Sequence, residues 1–247
     1  MRVSVGFISL AGVLALAFGC SSTPVDDPGA GGGGNGATGG SENGNMPSAC
    51  SGALRQALGL VDEVSSATVS IISDGAAERT LYVDASAGGI NAPDPWVYVS
   101  LATGQAVPLT DIEALRSKAW DLAFKRFVVR TNSGDSGPGA GGAIRIALAW
   151  DKVDASTLGQ QMPPRESLAD AKCNVNVDAN MELITTFTGW SEYNEATHVL
   201  SAADVVYITA GADGSLYKVG ILDYYSTPTG THGTVAGRYK MRVAPLP

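Results

Sequence analysis

Histidine is nearly missing from this chain, with two in 247 residues, and cysteine is scarcely commoner at three. No CxxC pair is present and no His lies near Cys50 or Cys173, which removes the usual spacing of a zinc site. Basic side chains are also few: 16 Lys and Arg stand against 24 Asp and Glu, a net charge of −8. A chain this acidic is a poor partner for nucleic acid or an anionic membrane surface. The glycine runs lack the Gly-Lys-Ser/Thr that a phosphate loop requires, and no GxSxG elbow occurs. Repeats of solenoid or propeller period are absent. Helical patterning is confined to GALRQALGLVDEV from Gly52 and DIEALRSKA from Asp111, two or three turns each.

What is present begins with MRVSVGFISLAGVLALAFGC. One early positive charge at Arg2, an apolar run from Val3 to Phe18 and a small residue before Cys20 read as an export signal over residues 1–19, too short for a membrane span. Its terminal AFGC resembles a lipobox, which makes Cys20 the expected lipidation site and mature N-terminus. Ala17 stands where Leu is commoner, and Ser21 follows where Asp would retain a lipoprotein at the inner membrane. Removal of the leader takes away Arg2 alone and leaves 15 basic against 24 acidic side chains, or −9. Residues 20–48 are then dominated by Gly, Ser, Asn and Pro, which bury too little apolar surface to offset the entropy of ordering; they read as a tether. With Cys20 assigned to lipid, Cys50 and Cys173 remain as a pair in an oxidising compartment, and a disulfide between them is expected.

Length alone allows one folded domain or two small ones; the period of the pattern places one domain over residues 49–247. Alternating or β-branched runs start at Ala67, Arg79, Trp96, Ala143, Met181, Asp204, Leu216 and Gly233, most of them bounded by Gly, Pro, Asp or Asn. Many short strands with few helices predict an all-β sandwich or irregular barrel.

One stretch, WDLAFKRFVVRTNSGDSGPGAGGA from Trp120, resists simple alternation. Trp120, Leu122 and Phe124 share one strand face, whereas Phe127 and Val129 have the opposite parity. Either both faces are covered, or a bulge near Lys125 and Arg126 resets the register, and the bulge is favoured. Asn132 and Gly134 suit a turn with positive φ. GDSG matches the first letters of the trypsin-like GDSGGP box, but the sequence then departs and both histidines follow the serine, the wrong order for that family. The chain is therefore read as a non-enzyme.

The same stretch, with VSLATGQAV before it and DVVYITAGADGSLYKVGILDYY and GTHGTVAGRYK after it, resembles the HmuY family of bacterial haem-binding lipoproteins over about residues 98–243. The resemblance implies an all-β fold, outer-membrane or cell-surface attachment through lipid, haem as ligand and delivery to an outer-membrane receptor. Trp120 and Asp121 read as scaffold, the carboxylate capping backbone donors or pairing Arg126 or Arg130. Haem demands an apolar slot and axial donors from His, Met, Tyr or Cys. His198, His232, Met162 and Met181 are the candidate iron ligands, with Tyr193 and Tyr225 weaker ones; Lys125 and Arg126 are the candidate propionate contacts. A non-haem interaction module on the same fold is the alternative, and the scarcity of His is its support.

Overall fold

The structure is a computed structural model that describes residues 50–89 and 93–247. The leader, Cys20 and the tether lie outside the described residues. The elements in chain order are α1 (Ser51–Ala57), β1 (Val69–Asp74), β2 (Arg79–Asp84), β3 (Val97–Ser100), β4 (Gln105–Ala106), α2 (Asp111–Ala114), β5 (Leu122–Lys125), β6 (Val128–Thr131), β7 (Gly142–Ile146), β8 (Ser191–Asn194), β9 (Val199–Ala202), β10 (Val206–Ala210), β11 (Leu216–Asp223) and β12 (Arg238–Leu246). Six strands form one sheet in the order β1-β2-β12-β11-β10-β7, four form a second in the order β4-β3-β5-β6, and β8 and β9 make a separate hairpin. Every ladder pairing between these strands is antiparallel. The fold is all-β, as the strand periodicity predicts.

Alternation decides what each face does. Val97, Val99, Leu122, Phe124 and Val129 of the four-stranded sheet meet Leu81, Val83, Tyr207, Val219, Tyr239 and Met241 of the six-stranded sheet in the principal core. The opposite face of the smaller sheet is covered as well, because Trp96, Tyr98, Ala123 and Val128 pack with Leu54 and Leu58, Ala114 and Leu115, Trp120 and Leu168 in a second core. The disulfide Cys50–Cys173, 123 residues apart in sequence, forms and stitches the start of α1 to this second layer.

The favoured bulge at Lys125 and Arg126 is corrected. Leu122 pairs with Thr131 and Phe124 with Val129, so the chain reverses through Arg126 and Phe127 in a tight hairpin, with Arg126 at φ 51°. Cross-strand partners share a face, so reversal returns Val129 to the side of Phe124 with no extra residue in either strand. Both faces are covered, and Trp120, just before β5, belongs to the second core rather than to the face of Leu122 and Phe124. Of the predicted strands, the run from Met181 forms no ladder strand; it is loop, touching strand geometry only at a bridge between Val177 and Leu183.

Charged groups sit between these layers. Asp111, wholly buried, accepts from the Val61 amide, the Trp96 amide and the Tyr98 hydroxyl, each at 3.0 Å. The same hydroxyl accepts from Nη2 of the buried Arg130 at 3.0 Å, and the guanidinium lies 4.4 Å from the Trp96 ring centre. Asp121 accepts from the amides of Leu101 and Ala212, both at 2.7 Å, tying the β3–β4 turn to the β10–β11 turn; its partners are backbone donors, not Arg126 or Arg130. Burial pushes the carboxyls of both Asp111 and Asp121 above the usual range, against the pull of their donors.

The glycine loop after β6 is a close-packing device. Gly134 has φ 52°, and a Cβ there would run into the Glu166 carbonyl. Asn132 contributes its side chain rather than a positive φ: Nδ2 donates to the Ser117 and Trp120 carbonyls at 2.9 and 2.8 Å, and Oδ1 accepts from the Gly139 amide at 3.0 Å. Ser136, the serine of GDSG, is buried with Oγ accepting from Arg130 Nη1 at 2.6 Å, and Asp135 holds the Leu168 amide.

Candidate functional site

The segment from Asp178 to Trp190 runs across β6 to reach β8, and three anchors hold it. Glu166, 3 % exposed, accepts from the Thr131 amide at 2.8 Å with one carboxylate oxygen and from the Thr186 amide at 3.0 Å with the other. Thr185 Oγ1 donates to the Val129 carbonyl at 2.7 Å, and Trp190 Nε1 donates to the Phe127 carbonyl at 2.9 Å in the β5–β6 turn. Burial raises the Glu166 carboxyl against the pull of these donors.

Between this segment, the β5–β6 hairpin and the β8–β9 hairpin lies a cavity of about 620 Å³. Phe127, Val129, Leu183, Ile184, Trp190 and Leu200 supply its apolar wall. Behind Trp190 stand Tyr224 and Tyr239, each 5.4 Å from it centre to centre, with Phe124 5.1 Å from Tyr239. Burial lifts the Tyr224 hydroxyl to about 12 and raises that of Tyr239 well above the usual range; Tyr239 donates to the Arg126 carbonyl at 2.6 Å. The polar part of the lining is acidic: Asp178, Glu182 and Glu195 contribute, and no Lys or Arg does. Burial, with Asp178 nearby, raises the Glu182 carboxyl.

Tyr193 projects from β8 into the lining, with its hydroxyl 2.7 Å from His198 Nδ1. His198 occupies the β8–β9 turn at φ 56°, its amide donating to the Asn194 carbonyl at 2.8 Å. His198 thus reaches the cavity wall through Tyr193. His232 is exposed between β11 and β12; its Nδ1 is 3.0 Å from the Asp223 carboxylate and its ring 5.7 Å from Tyr225. Tyr225 receives the Leu200 amide at 3.3 Å on the far side of β9. Met181 is exposed between two lining residues, Asn180 and Glu182, whereas exposed Met162 and His232 lie outside the lining. Lys125 is 2 % exposed, its Nζ donating to the Gly59 carbonyl at 3.0 Å. Arg126 directs Nη1 to the carbonyls of Ser86 and Ala236 at 2.9 and 3.3 Å. Among the described residues no group of three or more His, Cys, Asp or Glu side chains is placed to hold a bare metal ion.

The β8–β9 hairpin gives little sequence signal because SEYN and VLSA are only four residues each and SEYN is polar, and part of the Asp178–Trp190 wall, MELITTF, has the composition of a strand. The sequence signal for the hairpin is YNEATH, where Asn194 opens a four-residue turn that ends at His198.

A family model for the HmuY protein matches residues 92–239, more than half of the chain and the whole of the cavity lining. The chain belongs to the HmuY family. Among solved structures, one described as an HmuY-like haem-binding protein of Bacteroides vulgatus is 18 % identical, with 74 % of this chain and 97 % of that one covered at a TM-score of 0.43. The apo HmuY analogue of Tannerella forsythia is 18 % identical, with 75 % and 100 % covered at 0.42, and apo PinO of Porphyromonas gingivitis 16 % identical, with 70 % and 99 % covered at 0.47. No curated protein matches the chain. Within this HmuY-family chain, the motif residues Trp120, Asp121 and Arg130 all build scaffold, and none lines the cavity.

Proposed function

We propose that this HmuY-family protein binds haem non-covalently in the cavity beside the β8–β9 hairpin. The observation that carries the reading is the cavity itself: its 620 Å³ falls in the range of small-molecule sites, and an aromatic and aliphatic wall meets a phenol donor at its edge. Porphyrin would lie against Trp190, Phe127 and Leu200. Haem would supply an iron centre with open axial positions. The carboxylates of Asp178, Glu182 and Glu195 would repel the propionates, which would therefore point out of the cavity. Export through residues 1–19, lipid on Cys20 and the tether over residues 20–48 would hold the domain at the outer membrane or cell surface, where an uptake receptor would take the haem. Among the described residues no helix is long and apolar enough to cross a membrane, and attachment through lipid requires none.

Haemin titration of the purified protein tests this reading. A saturable Soret shift with one equivalent is expected, weakened by Trp190→Ala. A flat titration of a protein with native circular dichroism refutes it. The acidic lining favours one second reading, an interaction module that has kept the fold without the ligand, and a flat titration would select it.

A further inference from the structure

Of the side chains lining the cavity, Tyr193 alone belongs to the His, Met, Tyr and Cys set that ligates haem iron. A phenol is a poor ligand at neutral pH, because free tyrosine holds its proton to about pH 10. It becomes a good one when a base stands at its oxygen to receive that proton. His198 Nδ1 stands 2.7 Å from the Tyr193 oxygen. The arrangement is built into the hairpin: Tyr193 lies on β8, His198 occupies the turn in the left-handed region, and Asn194 Oδ1 receives the amides of Ala196 and Thr197 at 3.0 and 3.1 Å. Tyr193 is 58 % exposed, so the side chain stands at the cavity's edge rather than sealed in the core.

From this geometry we infer that Tyr193 is the axial ligand to ferric haem and that His198 is its proton acceptor, a deepening that rests on the haem reading above. With haem bound, the Tyr193 oxygen would face the iron and its proton would pass to the His198 Nδ1 beside it. No electron is exchanged. The Tyr193 oxygen would offer ferric iron a hard, anionic donor, with His198 receiving the displaced proton. Ferrous iron, carrying one positive charge fewer, gains less from that oxygen, so the site selects the ferric state and releases haem on reduction. His198 is a positioning residue in this scheme: it acts through Tyr193 and does not touch iron.

The test is a titration of the purified protein, Tyr193→Phe, His198→Ala and His198→Gln with haemin, read by absorption and resonance Raman, and repeated after dithionite reduction. The wild type is expected to show phenolate-to-iron charge transfer and to weaken at least tenfold for haem on reduction. Tyr193→Phe should lose that signature and at least tenfold in affinity. His198→Ala and His198→Gln should both weaken the signature, since an amide can accept a hydrogen bond but not the proton. Both positions lie on an exposed hairpin, and circular dichroism verifies that each variant is folded. If Tyr193→Phe binds haem with the wild-type spectrum and affinity, tyrosinate ligation is overturned while the haem reading stands. If His198→Gln retains the full phenolate signature, His198 is not the proton acceptor. If the folded wild type gives no Soret shift at all, both readings fall together.

Discussion

Tyr98→Phe is the sharpest test of how this scaffold is held, because it deletes one oxygen and leaves the ring's packing against Trp120, 5.0 Å away, unchanged. That oxygen is the link between two buried charges, donating to Asp111 and accepting from Arg130, both contacts at 3.0 Å. Hydrogen bonds to charged groups are worth about 1.5–3 kcal/mol each, so two amount to roughly 3–6 kcal/mol. Removing the hydroxyl also removes the need to dehydrate it, an offset of about 1–2 kcal/mol. The expected net loss is about 2–4 kcal/mol. For a domain of this size that lowers Tm by roughly 5–15 °C. Urea denaturation followed by tryptophan fluorescence measures it, with a lower midpoint and an unchanged slope expected, because the area exposed on unfolding is the same. A loss below about 1 kcal/mol would refute the account and mean that Arg130 and Asp111 are satisfied without the phenol.

Three further outcomes follow from the same structure. Reduction of Cys50–Cys173, or a Cys50→Ala/Cys173→Ala double variant, should destabilise the domain by up to about 5 kcal/mol on chain-entropy grounds for a separation of 123 residues; an unchanged urea midpoint in reductant would contradict it. Asp111, Asp121 and Glu166 have carboxyls raised by burial, so between the ordinary carboxylate range near pH 4 and their raised values the folded state binds more protons than the unfolded one. Their contribution is full below that ordinary range and is lost as pH rises through the raised values. The lowered carboxyls of Glu78, Asp151, Asp154, Asp170 and Asp213 lie at the surface, where solvent screening leaves them opposing this only weakly. Thermal melts should therefore show a Tm higher in mildly acidic buffer than at neutral pH, and a Tm that falls steadily below neutrality would reverse the sign. Glu195→Gln and Glu182→Gln should tighten haemin binding severalfold and make it less responsive to salt, since each removes a negative charge facing an anionic ligand; isothermal titration at two ionic strengths measures this, and weaker binding would place the propionates elsewhere.

Much of this molecule was legible before any coordinates. Alternation located β2 to the residue and the cores of β3, β10 and β11, and parity within WDLAFKRFVV left either two covered faces or a change near Lys125 and Arg126. It did not show that the change was a chain reversal, because a two-residue turn and a bulge both shift parity, and only pairing of Phe124 with Val129 separates them. The pairing of Cys50 with Cys173 followed from counting once Cys20 was set aside. The cavity was not legible. Its wall is a loop whose sequence, MELITTF, has strand-like composition but is bound by side chains of Glu166 and Thr185 to β6 rather than by a ladder.

The sequence by itself determined the all-β class, the acidic balance and the family motif, because these depend on composition, period and short-range order. Tertiary structure alone decided that Asp121 holds the Ala212 amide and that Tyr193 shares a cavity lining with Phe127. It also decided that Lys125 is buried in the second layer. The physical reason is common to all three: where a side chain points depends on which strand lies beside it, and that partner comes from elsewhere in the chain.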